Sequence, residues 1–430
     1  MNDPVLFGSV PDFLDYTAAD AAIRFGQLTA WLDARHAQGL DPYSRSTSSR
    51  VGPQITAHGR LGRTYEGVNF ASQDYLNLST HPAVMEAAKQ AIDAYGVHSA
   101  GSSALMGNTH ASLELERKLA DFTGFADCTL FPTGWAAGYG IIRTLVTPQD
   151  HVVIDVLAHA CLHEGARAAT SIVHTFPHLS NEGVERRLRK IRESDDSCSI
   201  TVVTETAYSM DSDVPDLRGL QTICRQYGAT LVVDCAHDLG AIGEHGGGYL
   251  ELLGMTGGVD ILMGSFSKTF ASNGGFVATN QAELKLAIRY TCGPHTFSNA
   301  MSPVNAKIVS RCLDIIQSDE GFALRQDLLR NIRLMRTLLS NRGFTVLGRD
   351  SAIVPVILGD SATSRLITRS TLEAGGIVNL VEFPAVARNS CRWRLQMMAR
   401  HTDVQIRHLV DLACDARAGL AQNPKYRAAL

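Results

Sequence analysis

The sequence lacks the paired cysteines of a disulfide framework or a zinc module. Its nine cysteines are scattered over 430 residues with no CxxC pair, and an odd, dispersed set reads as reduced thiols in a cytoplasmic enzyme. No stretch approaches the roughly 18 consecutive apolar residues of a membrane-spanning helix. The opening MNDPVLFGSVPDFLDYTAAD has no basic region followed by an apolar core, so no secretory leader is expected. There is no excess of positive charge: 39 Lys and Arg against 43 Asp and Glu give a formal net charge of −4. That balance argues against a general nucleic-acid or membrane-surface binder. The one basic cluster, RRLRKIR at 186–192, fits the solvated face of a helix. Internal repeats, low-complexity tracts and the GxxxxGK[ST] phosphate loop are also missing.

What is present is a chain long enough for more than one domain, with 45% hydrophobic and 19% charged residues, ordinary values for a globular protein. Residues 1–60 read as an N-terminal arm and linker: a helical period over 20–40, then the polar, turn-rich DPYSRSTSSRVGP. Residues 61–305 read as a large α/β domain. Apolar runs recur there as CTLFPT, HVVID, SITVVTET, ATLVVDCAHD, VDILMGSFS and GGFVAT, with helical stretches such as GVERRLRKIRES between them. Alternating strand and helix predicts a mostly parallel sheet, and continuous apolar runs predict strands covered on both faces. Residues 306–430 read as a smaller C-terminal α+β domain.

Polar residues collect where these strands end, which is where open parallel sheets line a ligand crevice. Asp234 closes one buried strand, and His237 follows it. A buried carboxylate needs a cationic or hydrogen-bonding partner; a protonated heterocyclic nitrogen would serve, and so would the start of the next helix, with Asp234 as its cap. Lys268, in GSFSKTFASNGGF, sits among small and hydroxylated residues. A lysine in a dry site can form a Schiff base with a carbonyl, although a lysine alone is more often a surface group. Ser265 precedes it. Thr133, Gly134 and Trp135 occupy a strand–turn–helix junction whose free N–H groups could cradle an anion. His159, Cys161 and His163 imitate metal-ligand spacing, but no further Cys/His set accompanies them and no metal is expected; His159 could instead lie flat against an aromatic ring. Glu205 and Ser209 follow another apolar strand. An anion cradle, a carboxylate for a ring nitrogen, two histidines and a Schiff-base lysine are what pyridoxal 5′-phosphate (PLP) requires.

Seven ordered segments then carry a resemblance: NFASQDYLNLSTHP, TGWAAGYGII, LAHACLHEGAR, ETAYSMDSDVPDL, VVDCAHDLGAIGEHGGG, GSFSKTFASNGGF and RWRLQMMARHT. In this order, from about residue 40 to 415, they resemble the α-oxoamine synthases, and GLDPY, DSAIVPV and GGIVNLVEFPAV are most similar to bacterial serine palmitoyltransferase. The resemblance implies a fold-type I PLP-dependent transferase. It implies a decarboxylative condensation of an amino acid with an acyl thioester, on CoA or an acyl-carrier protein, giving an α-aminoketone, CO2 and free thiol. Another amino acid or carrier, or a different fold-type I reaction such as transamination, is the alternative. Lys268 would hold the cofactor and act as base, Asp234 would pair with the ring nitrogen, His237 would contact the phenolic oxygen, and His159 would stack on the ring. Gly134, Trp135 and Ser265 would serve the phosphate, Ser209 would lie beside the cofactor, and Ser298 would reach the phosphate of a partner subunit in a homodimer. Arg394 would receive the amino-acid carboxylate, and Gln73 stands at a substrate position where relatives usually have Asn. Other departures are Ser103, Asn108 and Ser112, and Cys235 and Asp238 in DCAHDLG.

Overall fold

The computed structural model describes residues 3–41 and 43–422 of the chain. These fall into two compact units, one of residues 74–209 and 213–326, the other of the residues up to 73, 210–212 and those from 327 onward. The boundaries lie at 73 and 326, not at the 60 and 305 drawn from the sequence. One reason is helix Pro303–Ile316, which packs on helices Pro82–Tyr95 and His110–Thr123 and buries Ala306, Val309 and Leu313.

The larger unit is built on seven strands: β1 (Asp127–Phe131), β2 (His151–Asp155), β3 (Val173–Phe176), β4 (Ile200–Glu205), β5 (Thr230–Asp234), β6 (Ile261–Ser265) and β7 (Gly275–Thr279). They lie in the order β1-β7-β6-β5-β4-β2-β3. β6, β5, β4, β2 and β3 run parallel, and β7 is antiparallel to both its neighbours, β1 and β6. The mostly parallel sheet expected from the apolar runs is therefore present. Every residue of β4 is buried, as strands covered on both faces require. Helices α1 (Gly134–Leu145) and α2 (Ala160–Ala169) pack on each other. Ile141, Ile142 and Leu162 from them join Val152, Ile154, Val203, Val232 and Met263 in one core cluster. The basic run 186–192 lies on α3 (Asn181–Ser194), which buries Val184, Leu188 and Ile191.

The antiparallel β7 positions the chemistry. Ser265 at the end of β6 and Phe131 at the end of β1 both pair with Gly275 at the start of β7. The nine-residue return between them, 266–274, carries Lys268 and is closed by Phe266 N–H donating to Gly274 O at 3.0 Å. Gly274 has φ +125°, and a Cβ there would meet Met301 Sδ at 2.8 Å, so the turn needs glycine on both conformational and steric grounds.

In the other unit, strands Thr345–Val346, Ile353–Gly359, Cys391–Gln396 and Leu380–Val381 form an antiparallel sheet, and helices Ser361–Glu373 and Asp403–Gln422 pack together. The N-terminal segment is tied to this unit by two buried arginines. Arg365 donates to the carbonyls of Val5, Leu6 and Gly8, and both Arg365 and Arg35 pair with Glu382. The start of the segment read as an arm and linker is thus held to this unit by charge-assisted bonds, although Arg35 Nε is left without a partner.

Candidate active site

A cavity of about 250 Å³ opens at the carboxyl ends of β4, β5 and β6 within the larger unit. Thr133, Gly134, Trp135, His159, Glu205, Asp234, His237, Ser265 and Lys268 all line it. Nine of the site residues singled out in the sequence thus converge, from segments spread over more than a hundred residues.

The wall begins at the start of α1. Thr133 caps it: its Oγ1 accepts the Ala136 N–H at 3.0 Å, the ordinary means of satisfying one exposed helix donor. Gly134 is pressed against the end of β6. A Cβ on Gly134 would lie 2.5 Å from both Cβ and Oγ of Ser265, and a Cβ on Gly275 would lie 2.7 Å from the Gly134 Cα. Only a bare backbone fits. Ser265 Oγ and Ser267 Oγ are 2.8 Å apart on the same side. Backbone N–H groups of a helix start beside two hydroxyls form a cradle suited to a phosphate.

The floor carries two acids. Glu205 and Asp234 are register partners on adjacent strands, and both are buried. Burial and the neighbouring Asp234 charge hold the Glu205 carboxyl well above the usual carboxylate range, although His159 N–H donates to it. Burial also raises Asp234, against the opposing pull of His159 and Lys268; its Oδ1 accepts the Ala236 N–H at 2.9 Å. Two buried acids face Lys268 and His159, and burial disfavours the charge on both. A cationic ring nitrogen against Asp234 would favour its ionised form. On these grounds the donor set fits PLP: a cradle for the phosphate, an acid for the ring nitrogen and a half-buried amine on Lys268.

His159 caps α2, its Nδ1 accepting the Cys161 N–H at 3.3 Å, and meets the Trp135 ring edge-on at 5.9 Å at the cavity mouth. Cys161 also lines the cavity, whereas His163 does not, so the metal-like spacing of 159, 161 and 163 does not converge on one point. His237 Nδ1 lies 3.2 Å from Tyr75 Oη. Tyr75 went unnoticed in the sequence, although it stands inside SQDYLNLS. Ser267, a hydroxyl beside Lys268 in the sequence, is a further wall residue, and Asn273, Ala236 and Met263 join the wall without a sequence signal of their own. Asp238, one of the departures, is buried; it accepts the Tyr249 N–H at 2.6 Å and the Thr206 hydroxyl. Burial, aided by the Asp234 charge, pushes Asp238 up to about 7 despite those bonds.

Ser209, Ser298, Gln73 and Arg394 are not among the cavity residues. Ser209 lies beyond the end of β4. Ser298 is half-buried next to Asn299, which bridges to Ser102. Gln73 and Arg394 belong to the other unit, where the Arg394 N–H donates to Asn379 O at 3.0 Å on strand Cys391–Gln396.

With this fold and this constellation, the chain belongs to the aminotransferase class I and II family, which it matches over residues 65–412. It is 33% identical to 8-amino-7-oxononanoate synthase of Geobacter sulfurreducens over 89% of this chain and 95% of that protein. It is 31% identical to 2-amino-3-ketobutyrate coenzyme A ligase of Escherichia coli strain K12 over 90% of this chain and 96% of that protein. Among solved structures, serine palmitoyltransferase of Sphingomonas wittichii superposes with a TM-score of 0.86 at 29% identity, covering 93% of this chain and 99% of that one. A high-resolution structure of SPT with PLP gives the same TM-score at 28% identity, over 93% of this chain and 99% of that one. The resemblance to the α-oxoamine synthases read from the seven motifs is borne out.

Proposed function

We propose that this protein is a PLP-dependent α-oxoamine synthase that condenses an amino acid with an acyl thioester. The observation that carries the reading is the meeting of Lys268, Asp234 and the Gly134 cradle in one cavity. Bound there, PLP supplies an electron sink for negative charge at the amino-acid α-carbon. Thr133, Gly134, Trp135 and Ser265 hold the phosphate. Asp234, whose charge burial disfavours, would be held ionised by a cationic ring nitrogen opposite it, with Glu205 behind it. His159 would cover one face of the ring, and His237, beside Tyr75 Oη, would face the phenolic oxygen. Lys268 Nζ would hold the cofactor at its aldehyde and, when free, would take the α-proton. Arg394 is the cation assigned to the amino-acid carboxylate, where a fork of two N–H donors suits two oxygens; Gln73 and Ser209 are assigned to the substrate and cofactor edges.

A bond forms between the α-carbon and the acyl carbon while the C–S bond breaks, and the sulfur leaves as free thiol after taking a proton. The carboxylate then departs as CO2, leaving its electron pair on the α-carbon, which is protonated again by Lys268.

A homodimer, in which Ser298 reaches the partner's phosphate site, is supported by exposed apolar residues of the larger unit. Leu105 is 81% exposed, Met106 86% and Phe297 90%, a degree of exposure expected of a surface that another chain covers. A cytoplasmic location is supported by nine cysteines that are all free; no helix among the described residues is long and apolar enough to cross a membrane. The test is a matrix of amino acids against acyl-CoA and acyl-carrier-protein thioesters, read by free thiol, CO2 and product mass. Thiol and CO2 released in equal amounts, with an α-aminoketone product, support the reading. Amino-group transfer to a keto acid without thioester would replace it with transamination.

A further inference from the structure

At the opposite ends of the same strands lies a second cluster of donor groups. His151 is the first residue of β2, and Asp195 and Cys198 lie in the turn between α3 and β4. One ligand atom from each of the three lies within 4.8 Å of the other two. His174 on β3 completes the group: its Nε2 is 3.0 Å from His151 Nδ1, and the two rings stack at 5.2 Å and 19°. β2 and β3 are parallel, with Val153 opposite His174. His151, Val153 and His174 therefore share one face of the sheet, and the two imidazoles are diagonal neighbours on it.

The backbone holds these groups in place. His151 N–H donates to Ser199 O at 2.9 Å, and Ser199 N–H donates to Asp150 Oδ1 at 3.2 Å. Arg192 Nη1 donates to Cys198 O at 2.7 Å while its Nε holds Tyr227 O at 2.9 Å. The same Nη1 is 3.6 Å from Cys198 Sγ. Asp195 Oδ1 takes donors from Ser197 N, Ser197 Oγ and Cys198 N, which orients the carboxylate and leaves Oδ2 for another partner. All four donor residues are half-buried, within reach of an ion from solvent.

A thiol, an imidazole and a carboxylate form a mixed S/N/O set, which suits zinc far better than calcium or magnesium, whose sites are built of oxygen. Zinc bonds of roughly 2.0–2.3 Å put neighbouring ligand atoms of a tetrahedral site roughly 3.3–3.8 Å apart. The cluster needs to close by about 1 Å, which rotation of the short Asp195 and Cys198 side chains can provide. Two anionic ligands would also balance the charge of the ion. We propose that His151, Asp195 and Cys198 bind a zinc ion, with His174 as the positioning residue that holds the His151 ring. The ion would pin the α3–β4 turn to the amino end of β2, remote from the cavity at the carboxyl ends of the strands. Sequence spacing does not point to it, because Cys198 stands 47 residues after His151 and neither belongs to a ligand pair of ordinary spacing.

The test uses tag-free, PLP-loaded protein freed of metal by a chelator and titrated with Zn²⁺ against a chromophoric competitor. One zinc per chain is expected. C198S and H151A should each weaken binding at least about 10-fold, and H174A by about 10- to 100-fold, the range for loss of a group that orients a ligand. C414S, at a half-exposed cysteine outside the cluster, should bind as the unaltered protein does. The melting temperature should rise with zinc in the unaltered protein and not in C198S. Retained cofactor absorbance in C198S checks that the variant folds. No stoichiometric zinc, or equal affinity in C198S, would overturn the proposal.

Discussion

Replacing Gly134 by alanine tests the phosphate cradle with a single methyl group. The new Cβ would lie 2.5 Å from the Cβ and Oγ of Ser265 and 3.2 Å from its Cα. The hydroxyl can swing aside, but the Cα is held by the ladder between β6 and β7. Without a phosphate, Ser265 has the cavity to turn into, and part of the strain relaxes. With a phosphate in the cradle that rotamer is blocked, so the bound state carries the strain of the Ser265 Oγ contact, while the contact with Ser265 Cβ strains both states. Overpacking a tight contact costs about 1–3 kcal/mol. At 1.4 kcal/mol per factor of ten, this corresponds to PLP binding weaker by about 5- to 150-fold. The assay is an equilibrium titration of cofactor-free protein with PLP, followed by cofactor absorbance, with the melting temperature of the cofactor-free form measured alongside. A Gly134→Ala protein that binds PLP within twofold of the unaltered protein would refute the cradle. So would one whose melting temperature falls while its affinity stays the same.

Two further outcomes follow from charge. Asp234→Asn keeps the acceptor for the Ala236 N–H but removes the charge facing the ring nitrogen. Turnover should fall by about 10²–10³-fold, as when one preorganised electrostatic contact is lost, with the melting temperature little changed; full turnover would refute the pairing. Outside the cavity lining, His178 bridges Asp155 at 2.8 Å and Asp213 at 3.0 Å. Burial lowers its pKa, but the two carboxylates outweigh that effect and raise it to about 10. This stabilisation is complete below the unfolded value of about 6.5 and is lost as pH rises through about 10. His178→Asn should cost about 2–4 kcal/mol near pH 6.5, somewhat less than a fully buried broken pair, because His178 and Asp213 keep some contact with water. Melting curves should show the gap between the two proteins narrowing toward pH 10; a gap independent of pH would contradict the bridge.

The sheet was legible because its strands are long apolar runs bounded by polar residues, as in the fully buried Ile200–Glu205. The cofactor wall was legible because Asp234, Lys268 and 133–135 each punctuate such a run. The reversed direction of β7 was not legible: GGFVAT reads the same in either direction, yet the reversal sets Gly275 against Ser265 and closes the Lys268 turn. Tyr75 stands 162 residues from His237, in a loop without periodicity, and only the fold joins the two. The tie between the N-terminal segment and the C-terminal unit was likewise hidden, because Arg35, Arg365 and Glu382 look like surface charges until their burial is seen. Ser298 and Arg394 are singled out by the family resemblance alone, since nothing in the local pattern separates them from other serines and arginines. The His151 cluster was illegible for the reason that makes parallel sheets good at building sites: residues far apart in the chain meet at the strand ends.

The most direct measurement is reduction of the PLP-loaded protein with borohydride, followed by proteolysis and mass mapping of the peptides. The expected result is one pyridoxyl group per chain, on the peptide that contains Lys268, and none on the other lysines. A label on a different lysine, or none after the protein has been supplied with PLP, would contradict the assignment of Lys268 as the cofactor-holding amine.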